Sequence, residues 1–246
     1  MEISKPEKIE NALFEYHLEL ASIILTKLQK KSLKRIVEIG AGSGNLTLPL
    51  MRGLENDFEK YYCVDSFFGP YEQDRKTLES KLKSNEKIEI LDMDAKNMDK
   101  ILSNIDLVIG HEVLCDLNLK QLDEVMSVCF SILREGGMFI HSELSPFTTN
   151  KAEELVQIAD KFSKEPISDT KWFSPSADEL AGLAKSKGFR RVNVEYRKIP
   201  LKFTKEAALD IVKTWKTKRE FLDNYGGEVY NTGIEYPMEQ ILFCLK

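Results

Sequence analysis

Ile36-Val37-Glu38-Ile39-Gly40-Ala41-Gly42-Ser43-Gly44-Asn45-Leu46-Thr47 joins a short apolar run to three glycines that alternate with small residues. Leu46, Leu48, Leu50 and Met51 then follow in a helix-like pattern. The stretch reads as a strand, a tight glycine turn and a helix N-terminus. One glycine lets the chain turn at positive φ, and the others let a ligand approach backbone with no Cβ in the way. The free N–H groups of the helix start favour a carboxylate or phosphate.

The spacing narrows the ligand. A dinucleotide fingerprint is G-x-G-x-x-G with an acid about twenty residues on. Here the pattern is Gly40-x-Gly42-x-Gly44, preceded by Glu38. It resembles motif I of the class I S-adenosylmethionine-dependent methyltransferases, (D/E)-x-G-x-G-x-G. The resemblance implies S-adenosyl-L-methionine as cofactor, with Glu38, Gly40, Ala41, Gly42, Gly44 and Asn45 around it. An ordinary strand-to-helix turn is the plain alternative, and the segments downstream bear on it.

Tyr61-Tyr62-Cys63-Val64-Asp65 reads as a second strand ending in an acid. Asp65 stands where a carboxylate can accept both ribose hydroxyls of a nucleoside. Ser66 and Phe67 follow it, and Phe67 can stack on an adenine. A third strand, Lys87 to Leu91, precedes Asp92-Met93-Asp94-Ala95. The resemblance places Asp94 and Ala95 at the adenine, with Asp92 as the alternative or as a turn residue. The fourth strand, Asp106 to Gly110, leads into His111-Glu112-Val113-Leu114, similar to a family stretch whose loop lies between cofactor and acceptor. Gly110 and His111 are therefore further cofactor contacts. Leu133-Arg134-Glu135-Gly136-Gly137 reads as a turn opening a fifth strand, Met138 to His141, with Ser142 to Ser145 ending it.

The resemblance implies an α/β fold with a doubly wound seven-stranded sheet in the order 3-2-1-4-5-7-6. The sheet is mostly parallel with an antiparallel last strand, and helices cover both faces. That order sets the ends of strands four and five side by side at the cofactor crevice. Those ends carry His111-Glu112 and His141-x-Glu143, two of the three histidines in the chain. Methyl transfer requires acceptor, methyl and sulfur in line, and a base where the acceptor must lose a proton. His111, His141 and Glu143 are the candidate catalytic residues. Successive strand residues point to opposite faces, so His141 can instead face a helix.

Around this core the chain reads as helices over 7–31, 71–83, 119–133, 151–162 and 204–222, a sixth strand at 190–199 and a last apolar strand from Met238 to Leu245. The first helix carries Phe14, Tyr16 and His17, which can fold over the cofactor. A loop near Trp172 and Phe173 precedes another helix that stops at Gly188. Ser176-x-x-Glu179 is a capping-box pattern, and Ser174 before Pro175 is a rival register. Residues 1–246 thus form one domain: an N-terminal helical cover over 1–32, a core over 33–200, a helical elaboration over 201–236 and a closing strand over 237–246. The resemblance covers the core and the closing strand.

Composition bounds the function. A net charge of −5 gives no argument for nucleic acid as a partner. The cysteines Cys63, Cys115, Cys129 and Cys244 form no C-x-x-C pair, and no metal site is expected. Apolar flanks suit free thiols in a reducing compartment. The start of the chain lacks a signal-peptide core, and no apolar run reaches the length of a membrane span. The chain reads as cytoplasmic, with a small-molecule methyl acceptor as partner and no membrane. Protein or RNA as substrate, aminopropyl transfer on the same fold, and a non-catalytic adenosylmethionine-binding regulator are the rival functions. No N-P-P-Y or D-P-P-Y tetrapeptide follows strand four and no catalytic Pro-Cys is present, which argues against methylation of a base or amide nitrogen and of cytosine C5.

Overall fold

The computed structural model describes residues 5–28, 33–55, 57–68, 71–82, 85–162, 175–215 and 217–246. Parallel strands at the centre of a sheet are covered on both faces, so they read as unbroken apolar runs. β2 (Lys60–Asp65) and β4 (Ile105–His111) carry such runs over 61–64 and 107–110, β1 (Arg35–Ile39) does so apart from Glu38, β5 (Leu133–Leu144) is mixed, and β3 (Ile88–Asp92) lies at the sheet edge with exposed residues. With β6 (Arg191–Arg197) and β9 (Glu239–Leu245) they form a seven-stranded sheet in the order β3-β2-β1-β4-β5-β9-β6. β9 runs antiparallel to both β5 and β6, and the other neighbours are parallel. The expected strand order is the one found.

Alternation along the strands divides the core in two. Ile36, Leu107, Ile109 and Ile140 point into one half, while Val37, Ile39, Val108 and Phe139 point into the other. The first half packs against α1 (Lys5–Lys27), α2 (Thr47–Gly53), α3 (Glu72–Leu82) and α5 (Lys151–Asp160). The second packs against α4 (Leu119–Ile132) and α6 (Ala177–Ser186). α6 begins at Ser176, whose Oγ accepts from the Glu179 N–H while Glu179 Oε2 accepts from the Ser176 N–H, so the capping-box register holds. Ser174, like Trp172 and Phe173, lies outside the described residues.

Three expectations need correction. The fifth strand does not open at Met138: it starts at Leu133, and its pairing with β4 shifts register between Ile105 and Leu107. A Cβ at Gly137 would meet the carbonyl oxygens of Arg134 and Ile105 at 2.9 Å, so the backbones approach closely there. The pattern over 204–222 is not one helix. It breaks after α7 (Lys205–Thr214) and resumes as α8 (Arg219–Thr232), which runs on through Gly226 and Gly227. Short strands β7 (Lys202–Phe203) and β8 (Ile234–Glu235) pair antiparallel and clasp both ends of this elaboration. The third correction is to α1, where Tyr16 and His17 face inward and Phe14 is exposed. Among the described residues, no helix is long and apolar enough to cross a membrane.

Candidate active site

At the end of β1 the glycine loop is tied to the end of β2. The N–H groups of Gly40 and Ala41 donate to the Val64 carbonyl at 2.8 and 3.3 Å. The Gly42 N–H donates to Asp65 Oδ2 at 2.8 Å, and Asp65 Oδ1 accepts from the Phe67 N–H at 2.8 Å. Gly42 has φ +47°, where an L side chain is strained. A Cβ there would find its nearest neighbour, Asp74 Oδ2, only at 3.9 Å. The space over Gly42 opens into a cleft of about 320 Å³. Of the residues expected at a cofactor, Glu38, Gly40, Ala41, Gly42, Asn45, Asp65, Ser66, Asp94, Ala95 and His111 line it.

Glu38 is buried at the root of the loop and accepts from the Tyr61 hydroxyl at 2.7 Å. Burial pushes its carboxyl up to about 7. Asp94 caps the turn over Ala95–Lys100 by accepting from the Lys96 N–H at 3.0 Å. Two expected contacts lie elsewhere. A Cβ at Gly44 would meet Leu78 Cδ1 at 2.7 Å, so that glycine makes room for α3. One at Gly110 would meet Ile39 Cγ1 at 2.8 Å and His141 Cδ2 at 3.1 Å, so Gly110 is a packing position inside the sheet layer.

The two strand-end histidines face opposite sides of the sheet. His111 Nδ1 lies 2.9 Å from Ser142 Oγ, and its ring meets that of His17 edge to face at 5.4 Å. His17 comes from α1 and holds the Leu13 carbonyl at 2.7 Å through Nδ1. Both rings line the cleft. Burial lowers His111 to about 4, while burial and then His111 lower His17 to about 3, so both are uncharged at neutral pH. His141 points the other way, stacked on Phe139, with no hydrogen bond to either ring nitrogen and Glu143 Oε1 3.6 Å from its Nε2, and does not line the cleft. Glu143 shares that face. Its Oε1 accepts from the Cys115 N–H at 2.7 Å and so holds the turn Leu114–Asp116, rather than serving His111.

Sequence reasoning missed much of the far end of the cleft. Glu112, Tyr71 and Asp116 line it there, with the Tyr71 hydroxyl 3.2 Å from Asp116 Oδ2. Glu112 has φ +48°, an uncommon conformation for a glutamate, and its side chain is exposed to the cleft. Its charge reaches Asp160 at the end of α5 and Glu239 at the start of β9. Burial first, and Glu112 next, raise each of those two carboxyls to about 8. Glu239 is fully buried and accepts from the Tyr16 hydroxyl through Oε1. The one signal in the sequence was a glutamate opening a strand that is apolar after Gln240.

Residues 37–139 match the sequence model of a methyltransferase domain. Solved structures share the fold. A SAM dependent methyltransferase from Archaeoglobus fulgidus is 18% identical with a TM-score of 0.56, covering 92% of this chain and 94% of that one. The YcgJ protein from Bacillus subtilis is 11% identical with a TM-score of 0.65, covering 92% and 97%. Magnesium protoporphyrin IX methyltransferase from Synechocystis, solved with bound SAH, is 12% identical with a TM-score of 0.55, covering 100% and 89%. A comparison with curated protein sequences gives no match.

Proposed function

We propose that this chain is a class I S-adenosylmethionine-dependent methyltransferase, a reading that the domain match over residues 37–139 and the shared fold support, and that it transfers the methyl group to a small molecule held at the His111 end of the cleft. S-adenosylmethionine, when bound, supplies an electrophilic methyl carbon on a sulfonium sulfur. The residues present fit that cofactor. The open space over Gly42 admits a chain that a Cβ would obstruct. Asp65 lines the cleft at the end of β2 with its carboxylate held by the Gly42 and Phe67 N–H groups, a position that suits ribose hydroxyls. Asp94 and Ala95 lie on the cleft wall, where the adenine contacts are expected.

The observation that carries the small-molecule reading is the place of His17. It reaches across from α1 to within ring contact of His111, so a helix roofs this end of the cleft. A roofed end suits an enclosed acceptor better than a strand of RNA or a protein surface. His111 is uncharged at neutral pH and anchored by Ser142, so it can accept a proton from the acceptor or orient its attacking atom. Glu143 and His141 support the turn and the sheet behind it, and the reading assigns them no contact with the acceptor.

The test incubates the full chain with S-adenosylmethionine and chemically grouped small molecules, then measures S-adenosylhomocysteine. Turnover with at least one small-molecule group, and none with denatured cellular protein or RNA, is the expected result. Methyl label appearing in protein or RNA alone would overturn the small-molecule reading.

A further inference from the structure

Leu13 decides which nitrogen of His17 carries the proton. A carbonyl oxygen only accepts, so the His17 Nδ1 that lies 2.7 Å from it is the N–H. The ring is uncharged at neutral pH, because burial and then the neighbouring His111 hold it at about 3. A neutral imidazole with its hydrogen on Nδ1 leaves Nε2 as a bare lone pair. Ser142 sets no such limit on His111, since its hydroxyl, 2.9 Å from Nδ1, can donate or accept.

The fold holds that lone pair in place. Leu20, Ala21 and Ile24 follow His17 at helical spacing and are buried, which turns this face of α1 inward. The Tyr16 hydroxyl donates to Glu239 Oε1 and ties the same turn of helix to β9. The His17 ring is boxed edge to face by two others, Tyr16 at 5.3 Å and His111 at 5.4 Å. Only 8% of His17 is exposed, and the residue lines the cleft. Among the described residues, no donor reaches its Nε2. Both ring nitrogens of His141 are sealed from solvent without a hydrogen bond, whereas His17 Nε2 is not. An acceptor atom left without a donor at a nearly enclosed site is costly unless a ligand supplies one. Nor does any lysine or arginine among the described residues line the cleft, so no fixed cation there balances an anionic acceptor.

We propose that His17 is a substrate-binding residue, whose Nε2 accepts a hydrogen bond from a hydroxyl or N–H of the methyl acceptor and holds that group beside His111. The proposal rests on the small-molecule reading above and names the substrate class for it, an uncharged hydrogen-bond donor. A carboxylate or phosphate brings only lone pairs to meet the one on Nε2 and is disfavoured. An analogue with a carbonyl or a fluorine in place of the donor leaves Nε2 unpaired and is rejected for the same reason.

The experiment uses the full chain saturated with S-adenosylhomocysteine. Calorimetry compares cyclohexanol with cyclohexanone, and phenol with fluorobenzene, at neutral pH. In at least one pair the donor is expected to bind about tenfold or more tightly than its partner. That preference is expected to fall to within about threefold in His17→Phe, which keeps a ring against His111 and Tyr16. It is expected to return to about fivefold or more in His17→Gln, whose amide oxygen replaces the Nε2 acceptor. A packing role alone would not separate these two variants. Nitrogen NMR of the three histidine rings is expected to show His17 as the Nδ1–H tautomer, with its Nε2 resonance moving when the preferred donor is added. This measurement on the wild type keeps the test decisive if His17→Phe fails to fold. No preference in either pair, including no binding at all, would overturn the proposal and leave the small-molecule reading standing. So would a preference that survives His17→Phe, or a His17 ring that carries its hydrogen on Nε2. Failure of the wild type to bind S-adenosylhomocysteine would remove that reading and the proposal together.

Discussion

Asp65 Oδ2 accepts the Gly42 N–H at 2.8 Å, so the last residue of β2 fixes the loop that leaves β1. The carboxylate proposed to hold a ribose therefore also shapes the floor of the cleft. Its two roles are separable. Asp65→Ala is expected to lower S-adenosylhomocysteine affinity by about 1–3 kcal/mol, from ribose hydroxyls and a loop N–H left without acceptors. Asp65→Asn keeps one acceptor oxygen and is expected to lose less. Calorimetry on the two folded variants checks the order, and equal affinity in wild type and Asp65→Ala would remove Asp65 from the cofactor site.

Gly42 and Gly44 both sit at positive φ, +47° and +83°, so alanine at either carries similar backbone strain of about 1 kcal/mol. They differ in what a side chain meets. At Gly42 it enters the cleft, and at Gly44 it strikes Leu78 at 2.7 Å. Gly42→Ala is expected to lose cofactor affinity out of proportion to stability. Gly44→Ala is expected to do the reverse, with α3 displaced and a lower melting temperature. Paired calorimetry and thermal unfolding read the contrast, and matched losses in the two variants would contradict the assignment.

The fold was legible because its determinants are local. Strands buried on both faces carry apolar runs, as β2 and β4 do over 61–64 and 107–110 and β1 does apart from Glu38. The glycine loop announced itself through spacing, and Asp65 through its place at a strand end. The rest of the site was hidden because it is assembled across the chain. Asp160 and Glu239 come from elements that only the tertiary fold brings near Glu112. Nor does spacing decide between His111 and His141. Pairing of His111 with Ser142 in the β4–β5 register puts His141 beside Gly110, on the opposite face. The elaboration was misread for a related reason. Nothing at Trp215 signals a break in sequence, and Gly226 with Gly227 argues against helix by propensity, yet packing of Phe221 and Val229 carries α8 past them.

The opposed histidines give a clean comparison. His111→Ala is expected to lower turnover by roughly 10²–10⁴, the range for a positioned acid–base group, with cofactor affinity nearly unchanged. If His111 orients the acceptor instead, KM rises and the pH profile keeps its shape. His141 makes no ring hydrogen bond where it stacks on Phe139, with Glu143 Oε1 3.6 Å from its Nε2, and a polar ring without hydrogen bonds gains little from burial. His141→Leu is therefore expected to hold or raise stability and to keep turnover. Steady-state kinetics with chemical denaturation on both variants checks this, and an equal loss of turnover in the two would contradict the facing seen here.

Stability should fall as pH rises from about 6.5 to about 8, and the sign follows from which state holds the proton. Buried carboxyls with raised values bind protons in the folded chain after the unfolded chain has released them. Glu38 at about 7, and Asp160 and Glu239 at about 8, are such groups. Their contribution is fully present below the ordinary carboxylate range near 4.5 and is lost as pH rises through 7 to 8. His17 and His141 at about 3, and His111 at about 4, act in the opposite direction. Burial keeps them neutral while the unfolded chain takes up protons, so their contribution is present above 6.5 and is lost as pH falls toward 4. Between 4.5 and 6.5 the two sets oppose each other. Above 6.5 the histidines have no further effect and the carboxyls alone set the slope. Urea denaturation at pH 6.5, 7.2 and 8.0 should give successively lower midpoints, and Glu239→Gln, which removes one of the retained protons, should flatten the decline. A midpoint that rises across this range would show that these carboxyls are already ionised in the folded chain.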